Sequence, residues 1–172
     1  MVIRKARLCD AAGIASVHVN SWRTSYRGIL CDEVLDNLDL RERVELWNRI
    51  LAEDALCYVA ENKEGTIVGF ASGGQERTGD FPGHGELYAI YLLEGYQRQG
   101  AGKKLLTAVM KELQRQGLSS VLVWVLEDNP SRHFYEALGG TLVASQPITI
   151  GKQTLTEAAY GWEDFFAPAK LK

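Results

Sequence analysis

Apolar positions along the chain alternate between strand-like and helix-like spacing. A short run from Val2, VIRKA, reads as a first strand. Asp10 can cap a helix through Ala11–Tyr26, where Ile14, Val17, His18 and Trp22 fall roughly on one face. Gly28 supplies a stop. A second helical region follows, broken near Asn37–Asp39, with Leu40, Val44, Leu46, Trp47 and Leu51 as its apolar positions. Ala55–Glu61 and Thr66–Gln75 read as two strands joined by a hairpin turn at Asn62–Gly65. Glu76–Gly85 has the composition of a loop, and Glu86–Leu93 that of a fourth strand. Leu105, Leu106, Val109, Met110 and Leu113 then mark the inner face of a helix whose Lys104, Lys111 and Arg115 point outward, with Gly117 as its end.

Ser119–Leu126 is a continuous apolar, β-branched run, the pattern of a strand buried on both faces. In the segment after it, Asn129 can cap a helix, Pro130 start it and Gly139 stop it. Thr141–Ile150 and Gln153–Trp162 read as two last strands around a turn at Gly151–Lys152, and the tail from Phe165 as less ordered. This order predicts an α/β (α+β) fold with a mixed, mostly antiparallel seven-stranded sheet and helices on both faces. The central strand–helix–strand unit is expected to be parallel, with antiparallel hairpins on either side.

Composition narrows the classes. The 172 residues suit one domain, 1–172, and no repeat or linker divides them. A net charge of -3 gives no general reason to bind nucleic acid or an anionic membrane, so an anionic ligand must be held locally. No apolar run is long enough to span a bilayer, and the first ten residues lack the apolar core of a signal peptide, which points to the cytoplasm. The three cysteines, Cys9, Cys31 and Cys57, are odd in number and widely spaced, unlike a disulfide framework or a zinc site, and no metal is expected.

The stretch GYQRQGAGKKLL, Gly95–Leu106, carries the first chemical signal. Gly95 and Gly100 have Walker A spacing, but Ala101 stands where a lysine is required. The dinucleotide pattern G-x-G-x-x-G fails at Leu105. What remains is Q-x-x-G-x-G, Gln97–Gly102, between a strand and a helix. Glycines there let a backbone approach a ligand, and successive amides with the first-turn N–H groups form a concavity for an anion such as a diphosphate. Arg98 and Lys103 can add charge at its rim. A plain strand–helix turn accounts for the same residues.

One strand later stands NPSRHFYEALG, Asn129–Gly139. With both motifs in this order, the chain resembles the GNAT superfamily of acetyl-CoA-dependent N-acetyltransferases over about Ile3–Trp162, most strongly over Glu86–Gly139. The resemblance rests on Gln97, Gly100 and Gly102 in the first motif, and on Asn129, Phe134, Tyr135, Glu136, Leu138 and Gly139 in the second. It implies acetyl-CoA as co-substrate, its pyrophosphate on the amides of Arg98, Gln99, Gly100, Ala101, Gly102 and Lys103. It implies a pantetheine arm between splayed strands, paired to main chain near Tyr91 and Leu92 and bonded to Asn129. It also implies Tyr135 as the acid for the departing thiol, which suits a phenol protonated at neutral pH.

The base is open between Glu86, His84 and bulk water. His18, on an apolar face, reads as structural, and His133 should not share a face with Tyr135. The acceptor pocket is expected from the first two helices and Glu76–Gly85, with Trp22 and Tyr26, i and i+4, as an aromatic wall or as plain packing. Glu157, Asp80 or Glu76 can attract a cationic amine. The leading expectation is acetyl transfer by direct attack of a primary amine in a ternary complex, on a small molecule rather than a protein N-terminus or lysine. A non-catalytic acyl-CoA sensor and a nucleotide-triphosphate enzyme are the rivals. A homodimer through the late strands and a monomer are both open.

Overall fold

The computed structural model describes residues 1–166. The less ordered tail expected from Phe165 therefore lies, beyond Phe166, outside the described residues. Strand β1 (Val2–Lys5) leads through a 3-10 turn into helices α1 (Ala11–Ser25), α2 (Asp32–Asp36) and α3 (Leu40–Ala52). Strands β2 (Cys57–Glu61), β3 (Ile67–Gln75) and β4 (Gly85–Leu92) follow, then α4 (Ala101–Arg115), β5 (Val121–Leu126), α5 (Arg132–Ala137), β6 (Thr141–Ile150) and β7 (Gln153–Trp162). The seven strands form one sheet in the order β1-β2-β3-β4-β5-β7-β6. Only β4 and β5 pair in parallel; every other neighbour is antiparallel.

Strand alternation explains the layers. Adjacent Val59 and Ala60 are both fully buried but belong to different cores. On one side Ile14, Val17 and Trp47 of α1 and α3 pack with Val59 and Phe70. On the other, Leu105, Leu106, Val109, Met110 and Leu113, the inner face predicted for α4, pack with Val68, Leu87 and Val123. A third, smaller cluster joins Leu30 and Leu35 of the α1–α2 region to Leu126, with Ile148, Ile150 and Leu155 against it.

Two caps differ from the sequence expectation. The Asp10 side chain makes no bond into α1. It accepts from both terminal nitrogens of Arg4 at 2.8 and 2.9 Å and from the Arg7 amide at 2.7 Å, tying β1 to the helix entrance. The break expected near Asn37–Asp39 is present, and there Asp39 caps α3 by accepting from the Arg41 and Glu42 amides. Asn129 precedes α5 by a turn instead of capping it, its Oδ1 accepting from the Ser131 amide at 2.9 Å.

One irregularity positions the site. The β3–β4 register shifts so that Ser72 faces Ala89 and Gly73 faces Leu87, leaving Tyr88 as an extra residue. Leu87 packs toward α4, yet after the bulge it is Ile90 and Leu92 that do so, while Ala89 and Tyr91 turn toward α1. The bulge thus swaps faces along β4 and turns Tyr91 toward Trp22 and Tyr26.

Candidate active site

β4 and β5 separate along their length. They pair only at Gly85–Val121, Glu86–Leu122 and Leu87–Val123, whereas β4 runs on to Leu92 and β5 to Leu126. Past Leu87 the two strands form a fork, and among the described residues the backbone of β4 has no strand partner on that side. A cleft of about 740 Å³ fills the fork, bordered by Tyr88–Leu92 on one arm and Val123–Val125 on the other. It continues to Gln97, Arg98, Gly100, Gly102 and Lys103, with Phe134 against Gly102, and on its other side to Asn129, Tyr135 and Tyr26.

The glycine stretch folds into a 3-10 turn, Glu94–Tyr96, a short loop and the start of α4. Arg98 and Gly100 both have left-handed backbone, with φ of 58° and 80°. Such turns swing successive amides toward a common side. No side chain caps α4, so its first-turn N–H groups are left for an anion. Two glutamines hold this shape: Gln97 Nε2 donates to the Leu92 carbonyl at 3.0 Å, and Gln99 Nε2 to the Gly95 carbonyl at 3.1 Å. Gly102 faces Phe134 and Leu92, and an added Cβ would stand 3.4 Å from the Phe134 ring, at contact. The loop therefore fits a diphosphate: open amides, a rim with Arg98 and Lys103, and no side chain in the way.

On the other side of the cleft Tyr135 is 5% exposed, between Phe134, Tyr160 and Trp162. Burial, and secondarily the nearby Tyr26, push its hydroxyl well above the usual phenol range, so it keeps its proton. Tyr26 also borders the cleft, its own hydroxyl raised by burial. Trp22 Nε1 donates to Tyr91 Oη at 3.0 Å, and the Tyr91 and Tyr26 hydroxyls lie 3.4 Å apart. An indole N–H can only donate, so Tyr91 accepts from Trp22, while either hydroxyl can be the donor between Tyr91 and Tyr26. Behind them His18 stacks on Tyr91, centroids 5.4 Å apart, and accepts through Nδ1 from Trp47 Nε1 at 3.2 Å. Desolvation, then Arg43, lowers its pKa to about 4.

The fold gathers most, but not all, of the expected residues. Tyr91, Leu92, Gln97, Arg98, Gly100, Gly102, Lys103, Asn129, Tyr135 and Tyr26 border the cleft. The side chain of Ala101 is in the core, and Gln99 closes the loop. Glu86 is 2% exposed, and both oxygens are occupied by Arg77, which donates from its backbone, Nε and a terminal nitrogen at 3.1, 3.3 and 2.6 Å. Arg77 in turn lies over the Tyr88 ring at 4.0 Å. His84 packs edge-on against Phe81 in the loop and does not border the cleft. Glu76 folds back on the amides of Thr78 and Gly79.

Trp22 borders a second, narrower cavity of about 160 Å³, which shares Tyr26, Trp124 and Val125 with the cleft. Glu157 is the carboxylate on its wall. The hydroxyl chain and this cavity have no signature in the sequence, because both depend on the β4 bulge and on β6 crossing to the far edge of the sheet.

The profile of the Acetyltransferase (GNAT) family matches residues 19–140. An uncharacterized N-acetyltransferase of Bacillus subtilis, YuaI, is 41% identical over 97% of this chain and 95% of its own. An L-amino acid N-acyltransferase of Escherichia coli, MnaT, is 28% identical over 86% of this chain and 83% of its own. Among solved structures, the PaiA N-acetyltransferase of Thermoplasma acidophilum in complex with coenzyme A has a similar fold, with a TM-score of 0.70 at 24% identity, covering 91% of this chain and 96% of that one. The yncA putative acetyltransferase of Salmonella typhimurium with acetyl-CoA has a TM-score of 0.72, also at 24% identity, covering 100% of this chain and 98% of that one.

Proposed function

The chain belongs to the GNAT acetyltransferase family, and on that premise we propose that it moves the acetyl group of acetyl-CoA to the primary amine of a small molecule, by direct attack in a ternary complex. The observation that carries this reading is one continuous cleft with open helix-N-terminal amides on one side and a buried, protonated Tyr135 on the other. Relatives described as acting on L-amino acids and on phosphinothricin favour a small acceptor.

When bound, acetyl-CoA supplies the acetyl group already activated as a thioester. The amides of Arg98–Lys103 and the side chains of Arg98 and Lys103 hold the diphosphate, where local charge offsets the net negative chain. The unpaired edge of β4 near Tyr91 and Leu92 takes the extended arm as an added strand, and Asn129 bonds to it. A main-chain N–H near Leu92 polarises the carbonyl oxygen. Tyr135 donates a hydrogen bond at the sulfur as negative charge develops there. Because its pKa stands above that of a thiol, near 8.5, it stabilises the leaving group mainly as a donor that does not ionise beforehand.

With its lone pairs committed to Arg77, Glu86 anchors the 76–85 loop, and the amine's proton leaves to water in the open cleft. A thermal-shift panel tests the donor: acetyl-CoA at 100 times its dissociation constant adds about 2.7 kcal/mol of apparent stability. Stabilisation by ATP with none by acetyl-CoA contradicts the reading.

A further inference from the structure

The second cavity adjoins the donor cleft at the shared walls Tyr26, Trp124 and Val125. Its interior is apolar: Trp22, Leu30, Leu126, Ile148 and Ile150. Its volume of about 160 Å³ is close to that of an engineered apolar cavity that holds benzene, about 150 Å³. Strand register orders its parts. Trp124 pairs with Ala159 at the mouth, and Leu126 pairs with Glu157 two residues further along. Ile148 pairs with Leu155 and Ile150 with Gln153 beyond that. Glu157 therefore stands between the mouth and the apolar end.

Glu157 Oε1 accepts from Gln146 Nε2 at 2.8 Å, and its second oxygen accepts no hydrogen bond among the described residues. No lysine, arginine or histidine is among the described residues that line the cavity. Trp124 Nε1, in the shared wall, is buried without an acceptor, so the wall around it has an unmet donor. A half-buried carboxylate with a free oxygen, in an apolar slot without cations, attracts a cation and repels an anion.

Resting on the acetyltransferase reading above, we infer that this slot is the acceptor subsite and that it takes carboxylate-free primary amines with a compact apolar body, of the arylalkylamine class. The ring or branched alkyl group lies against Leu30, Ile148 and Ile150. Glu157 holds the ammonium as the amine enters, before the nitrogen loses its proton and reaches the thioester. An α-amino acid seated the same way would bring its carboxylate beside Glu157 with no lining cation to offset it. The subsite thus separates this chain from the amino-acid specificity given for its relative at 28% identity.

The test compares 2-phenylethylamine with phenylalanine, which differ by one carboxylate. With wild-type protein and saturating acetyl-CoA, kcat/KM for 2-phenylethylamine exceeds that for phenylalanine by about tenfold or more. Glu157→Gln raises the KM for 2-phenylethylamine about tenfold and leaves the acetyl-CoA thermal shift unchanged, a check that the variant folds. Ile148→Phe fills the slot and removes turnover of 2-phenylethylamine while methylamine is still acetylated. In CoA-saturated protein, 2-phenylethylamine adds a thermal shift that Glu157→Gln abolishes. Preferred use of phenylalanine, or an unchanged KM and shift in Glu157→Gln, overturns the subsite and leaves the acetyltransferase reading standing. Acetylation of none of these amines overturns the subsite, and the acetyltransferase reading falls with it only if no amine of a wider panel accelerates thiol release.

Discussion

At the scale of single residues, the account makes Tyr135 a donor to the leaving sulfur. Tyr135→Phe keeps the ring packing with Tyr160 and Trp162 and deletes only the hydroxyl. It is expected to lower kcat about 100-fold, with the dissociation constant of acetyl-CoA nearly unchanged, as measured by initial rates and by calorimetry. Loss of binding with normal residual turnover contradicts the role. Gly100 acts through its backbone. A Cβ there meets nothing within 4 Å, so space is not the constraint; the left-handed φ of 80° is. Gly100→Val is expected to cost on the order of 1–2 kcal/mol in holding the loop, read as about tenfold or greater loss of acetyl-CoA affinity. Glu86→Gln is expected to reduce kcat less than Tyr135→Phe does and to leave the pH–rate profile unchanged. Loss of an acidic limb from that profile restores Glu86 as the base.

At the scale of elements, α1 is tied to β4 through His18. In the unfolded chain His18 titrates near 6.5, whereas in the fold burial lowers it to about 4. Between those values the unfolded state binds the extra proton. The contribution of His18 is therefore intact above pH 6.5 and is lost as pH falls toward 4, by an amount on the order of 3 kcal/mol. Urea unfolding across that range measures the slope. His18→Gln, which retains an acceptor for Trp47, flattens it, and an unchanged slope rejects the assignment.

The element scale also divides what the sequence made legible from what it did not. β6 and β7 have the bounds expected from their alternation and the turn at Gly151–Lys152, and α4 buries its five expected residues, because both patterns are strongly periodic. The bulge at Tyr88 left no such trace. Tyr88 is an ordinary strand residue, and only the register against β3 reveals it as the extra one. His84 and Glu86 were neighbours of the site in sequence, but the loop's own contacts, Phe81 with His84 and Arg77 with Glu86, take them up.

At the scale of the whole molecule, the sheet opens at the parallel β4–β5 pair, the donor cleft fills that opening, and the second cavity lies beside it over β5, β7 and β6. The two motifs, one strand apart, were sufficient to pick out residues that border the cleft, because each is a local turn on one side of β5. The acceptor half draws on α1, β5, β6 and β7 together, so no local pattern could announce Glu157 as its carboxylate over Glu76 or Asp80. The most direct measurement of the central claim is the release of free thiol when the protein is mixed with acetyl-CoA and a panel of small amines, with product masses followed in parallel. The account predicts amine-dependent release, one thiol for each N-acetylated product. Binding of acetyl-CoA with no amine accelerating thiol release would contradict it and leave a sensor in its place.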